Sequence, residues 1–65
     1  MTPAVRIYRD GKGQWLRHDV TLHYSRPQAR DVAMARVRDG KTVFVRVEDA
    51  AAVLEAARVT DGETS

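Results

Sequence analysis

The tetrapeptide Arg-Asp-Gly-Lys occurs twice, beginning at Arg9 and again at Arg38, and what flanks each copy constrains the fold more than any other feature of the chain. The first copy separates AVRIYR from GQWLRHDVTLHY, two stretches rich in the β-branched and aromatic residues that suit a pleated surface. Asp-Gly between such runs is a hairpin signal, because glycine supplies the positive φ of a type I′ turn. The loop is read either as Asp10-Gly11 or as the longer Asp10 to Gly13. The two versions differ by a slide of two residues, which preserves side-chain parity. Both therefore place Ile7 on the face of Leu16, and Tyr8 on the face of Trp15. From Gln14 to Tyr24 the alternation is regular: Leu16, Val20, Leu22 and Tyr24 point one way, interrupted by His18, while Trp15, Arg17, Asp19, Thr21 and His23 point the other.

The second copy follows SRPQARDVAMARV, in which Ser25 and Gln28 have the spacing of a capping box and Pro27 falls in a first helical turn. Alanine, arginine, glutamine and methionine favour helix, and Ala29, Val32, Ala33 and Val37 recur as a narrow apolar stripe. Gly40 is then the residue that stops this helix in the left-handed conformation. The rival is a second hairpin, with VAMARV pairing to TVFVRV across Asp39-Gly40. Its β-β-β-β-α order of elements resembles one repeat of the PUR-type nucleic-acid-binding proteins. TVFVRV, Thr42 to Val47, is a strand in either version, with Val43, Val45 and Val47 opposite Thr42, Phe44 and Arg46. EDAAAVLEAARV reads as a closing helix: Glu48 and Asp49 complement its positive end, Ala50, Val53, Leu54 and Ala57 form its stripe, and Gly62 lies beyond its stop. The expected fold is a small α+β domain of order β-β-α-β-α, a three-stranded, antiparallel-rich sheet with helices on one face, spanning residues 1–59 with a disordered tail at 60–65.

A chain of 65 residues buries only about 60% of the surface it exposes when unfolded, and with no cysteine it has neither disulfides nor thiolate metal sites to compensate. Oligomerisation is the remaining common device. The first residues hold no apolar run long enough for a signal-peptide core, and nowhere do eighteen apolar residues follow one another, so a soluble, cytoplasmic protein that meets no membrane is expected. The formal charge of +2 hides a split: residues 1–46 carry +6 and residues 47–65 carry −4. Such an asymmetry points toward an anionic partner or toward ordinary solvated charge.

With the faces assigned in this way, one side of the sheet is aliphatic (Val5, Ile7, Leu16, Val20, Leu22, Val43, Val45 and Val47) and suited to helical cover. The other gathers Arg6, Tyr8, Trp15, Arg17, His23, Phe44 and Arg46, with Thr21 and Thr42. Trp, Tyr and Arg dominate protein interfaces, so the leading expectation is a non-enzymatic protein-interaction module, a homodimer using that face. The alternative is a single-strand nucleic-acid binder or small regulator, with bases stacked on Tyr8, Trp15 and Phe44 and the backbone met by Arg6, Arg17 and Arg46. The same aromatic residues also suit a buried core.

Catalytic, metal and cofactor readings find no support in the residues. His18 and His23 fall on opposite sides of one strand, too few ligands surround them for zinc, Ser25 is better used as a helix cap, and Gly11-Lys12-Gly13 lacks the context of a phosphate loop.

Overall fold

The computed structural model describes residues 1–24 and 27–63, with side chains to residue 60. Two strands, β1 (Thr2–Arg9) and β2 (Trp15–Leu22), are followed by helix α1 (Arg30–Arg38), strand β3 (Val43–Val45), a single 3-10 turn (Val47–Asp49) and helix α2 (Ala50–Glu63). The sheet has the order β2-β1-β3 and is antiparallel throughout. This is the expected α+β fold, and helix over residues 30–38 removes the four-stranded alternative. No helix among the described residues is long and apolar enough to cross a membrane.

The two Asp-Gly segments do different work. At the first, Asp10 N–H donates to Gln14 O at 2.9 Å and Gly13 N–H donates to Asp10 O at 3.1 Å, leaving Gly11, Lys12 and Gly13 as the loop. The Asp10 carboxylate accepts from Lys12 N–H at 2.9 Å and from Gln14 N–H at 2.8 Å, tying the loop from inside. Gly13, not Gly11, takes the positive φ, at 84°. A turn followed by a left-handed glycine is the usual three-residue hairpin loop, and its odd count reverses parity relative to either even loop. Arg9 therefore faces Trp15, Tyr8 faces Leu16, Ile7 faces Arg17 and Arg6 faces His18. The pairing of Ile7 with Leu16, and of Tyr8 with Trp15, on common faces is overturned along the whole of β2.

A clear contrast between the two glycines is expected. Gly13→Ala forces a left-handed alanine and should destabilise by about 1–2 kcal/mol. Gly11→Ala meets nothing within 4 Å of the added Cβ and has no positive φ, so it should be neutral or slightly stabilising. Urea denaturation of the two variants reads the difference.

At the second segment, Gly40 has φ 80° and closes α1: Gly40 N–H donates to Val37 O and Lys41 N–H to Arg36 O, both at 3.0 Å. These are the two bonds of a Schellman stop, as the sequence predicts for this glycine. The start of α1 differs from expectation. Gln28 bridges Val45 in parallel and donates its N–H to Phe44 O at 3.0 Å, and Ala29 is extended at ψ 147°. Pro27 and Gln28 thus precede the helix, because pairing with β3 satisfies backbone that a first turn would leave open. The Ser25 cap lies outside the described residues. Of the predicted stripe only Ala33 and Val37 are buried, with Met34 packed against them, while Val32 is exposed.

α2 buries Ala50, Val53, Leu54 and Ala57, the stripe expected from its spacing. It continues to Glu63, into the segment expected as a tail, and Thr60 Oγ1 donates to Ala56 O at 2.9 Å. β3 ends at Val45, and Val47 leaves the sheet for the 3-10 turn and is exposed. The core lies between the helices and one sheet face, where Val5, Ile7, Trp15, Val43 and Val45 meet the alanine-rich stripes. That combination works because Ala33, Ala50 and Ala57 let the helix backbones approach closely, so modest side chains fill the layer at normal density.

The uncovered sheet face

Both helices pack on the same side of the sheet, so among the described residues the opposite face has no layer over it. Alternation from the printed register places Thr2, Ala4, Arg6 and Tyr8 of β1, Leu16, His18, Val20 and Leu22 of β2, and Phe44 of β3 on that face. Ala4 is buried yet stands apart from the core cluster, as a small side chain hemmed by larger neighbours on this side. Tyr8, Leu16, Val20 and Leu22 are half-buried, and Phe44 is 36% exposed.

Arg6 occupies the middle of the face. Its cross-strand neighbours are His18 and Phe44, and its guanidinium carbon lies 4.3 Å from the centre of the Tyr8 ring. The negative face of the ring attracts the guanidinium and fixes its position beside Tyr8. Its Nε is buried with no hydrogen-bond partner among the described residues. Among the described residues, no Asp or Glu stands at a strand position on this face. The result is an apolar surface around one under-satisfied arginine.

The residues singled out from the sequence therefore divide. Arg6, Tyr8 and Phe44 are brought together as expected. Trp15 is removed from them: it is 3% exposed and sits in the core beneath the helices. Arg17 also points to the helical side, at the sheet edge, where its Nη2 donates to the Asp19 carboxylate at 3.1 Å. His23 lies past the end of β2, and Arg46 past the end of β3, both exposed. In their place the face gains Leu16, Val20 and Leu22, which an even loop would send to the core. The signal that distinguishes the two arrangements is Gly13: the glycine two residues beyond Asp10-Gly11 marks the loop as odd.

The sheet's two edges are treated differently. Gln28 lies along β3 and takes up part of its outer edge. β2, eight residues long, pairs only with β1 among the described residues, so its outer backbone edge is open. No group of three or more His, Asp or Glu side chains gathers among the described residues in a way that could hold a metal ion. Comparison with protein-family models, with curated proteins and with solved structures found no match.

Proposed function

We propose that this chain is a small non-enzymatic protein-interaction module that works as a homodimer and presents its uncovered sheet face to a protein. The observation that carries the proposal is the uncovered face itself, where Tyr8, Leu16, Val20, Leu22 and Phe44 surround Arg6 with no helix over them. A contiguous apolar patch rimmed by polar groups marks an interaction surface in a small domain, and tyrosine and arginine supply most of the binding energy at such surfaces. The Arg6 Nε, buried without an acceptor among the described residues, favours a partner that brings a carboxylate or carbonyl into an otherwise apolar contact.

The test has two arms. Sedimentation at micromolar concentration should give twice the 7.3 kDa chain mass. The double variant Tyr8→Ser/Phe44→Ser should keep its circular dichroism, because neither side chain belongs to the core cluster, yet lose at least tenfold in affinity for any captured partner. A strict monomer that captures no protein overturns the proposal.

Single-stranded nucleic acid is the second reading, favoured by the stacked Arg6–Tyr8 pair beside Phe44. It is weakened by the loss of Trp15 and Arg17 from the face, which leaves two rings and one central arginine. Salt-dependent binding of a labelled single strand, reduced by about 1–3 kcal/mol in Tyr8→Ala or Phe44→Ala, would move the assignment to nucleic acid.

A further inference from the structure

We infer that two copies of this chain join along their β2 edges, antiparallel and centred on His18, to make one continuous six-stranded sheet. The inference rests on the homodimer of the proposed function and assigns its seam.

The hydrogen-bond phase of the edge comes first. The Asp10 N–H to Gln14 O bond shows that Gln14, and with it every second residue along β2, turns its N–H and C=O toward β1. Trp15, Arg17, Asp19 and Thr21 therefore turn theirs outward, four donors and four acceptors with no strand among the described residues to receive them. Such an edge is a template for another strand.

Symmetry then restricts the register. Two identical antiparallel strands are related by a two-fold axis perpendicular to the sheet, which keeps the helices of both copies on one side and sets some residue opposite its own copy. Centring on His18 pairs Arg17 with Asp19 of the second copy, and Trp15 with Thr21, each reciprocally. All eight outward backbone groups are then bonded. On the opposite face Leu16 meets Val20 of the second copy, so the apolar surface runs unbroken across the seam. Opposite charges facing each other across an antiparallel pair stabilise it, and like charges destabilise it. Moving the centre to Arg17 or to Asp19 places that charge against itself. Moving it to Leu16 or Val20 leaves half of the outward groups unpaired. His18 is the one centre that sets Arg17 opposite Asp19 and bonds all the outward groups, and it places the exposed His18 side chains of the two copies opposite each other.

Two further features agree. The groove beside this edge, lined by Arg17, Leu54, Glu55, Arg58 and Val59, offers the exposed Val59 and the rim of Leu54 next to the seam. Stacking the two uncovered faces directly would instead enclose both copies of Arg6 in a contact to which no strand position of either face brings a carboxylate.

The test uses charge exchange. Arg17→Asp and Asp19→Arg, both at exposed positions, should each fold normally and weaken self-association at least tenfold by sedimentation, because each sets like charges opposite one another. Mixed in equal amounts the two variants should form a heterodimer, since the two carboxylates of the first variant then face the two guanidinium groups of the second across the seam. A second measurement uses the absence of cysteine from the chain. His18→Cys should cross-link to its own copy on mild oxidation, because facing residues in a non-hydrogen-bonded pair lie about 4.5 Å apart at Cα, within disulfide range. Thr21→Cys, facing Trp15 of the second copy, should not. A dimer that ignores the charge exchanges and cross-links no better through position 18 than through 21 overturns the seam while leaving the homodimer in place. A wild-type chain that remains monomeric overturns both.

Discussion

Replacing Trp15 by alanine should cost about 3–5 kcal/mol, the range for truncating a buried large aromatic side chain. Total stability for a domain of this size is on the order of 3–10 kcal/mol, so a large share of that stability should be lost. The reason is that Trp15 is 3% exposed and supplies the only residue of β2 in the core cluster. Beyond it, Arg17, Asp19 and Thr21 on the same face are exposed, because the helices cover the central strand and only one end of this edge strand. Leu16→Ala, one residue away, should cost under about 1 kcal/mol, since Leu16 is half-buried on the uncovered side. Urea denaturation followed by circular dichroism compares them, and a cost for Leu16→Ala equal to or above that for Trp15→Ala would contradict the register.

Ile7→Ala should destabilise by about 2–5 kcal/mol. Ile7 is fully buried at the centre of the middle strand, facing Arg17 of β2 on one side and Val43 of β3 on the other, with the helical stripes above it. Removing most of its side chain leaves a cavity that small neighbours such as Ala33 and Ala57 are too short to fill. The sheet backbone is held on both sides by hydrogen bonds and cannot close inward either. Tyr8→Ala, the next residue along, loses only partly buried surface and its contact with Arg6, and should cost distinctly less. If the two substitutions prove equally damaging, the Tyr8 face is covered in solution. Repeating the Tyr8 measurement across a tenfold range of protein concentration shows whether self-association provides that cover.

Both predictions turn on a single count, the number of residues in the first loop. Local propensity marks the strands on either side of Asp10 and shows that a glycine-assisted turn joins them. It leaves open whether Gly11 or Gly13 takes the left-handed conformation, because both are glycine and either is sterically free to do so. One choice gives an even loop and buries Leu16, Val20 and Leu22. The other gives an odd loop and buries Trp15. Asp10 weighs toward the second by accepting from the N–H groups of Lys12 in the loop and Gln14 just after it, and the helices complete it by enclosing the largest side chain on the strand.

What the sequence determined by itself is the kind and order of elements, the stop of α1 at Gly40 and the buried stripe of α2. Each depends on residues within a few positions of one another: a positive-φ glycine after a helical run, or alanines and a valine at helical spacing. Tertiary structure alone decided which face of β2 looks inward, where α1 begins and which sheet edge stays open. The start of α1 moved because Gln28 found a partner in Phe44, a residue sixteen positions away, and no local pattern at Gln28 announces that bond. The same bond covers part of the β3 edge and leaves β2 as the long open one. Side-chain alternation has a period of two, so one residue more or less in a loop inverts an entire strand, and only the packing of both sheet faces registers the difference.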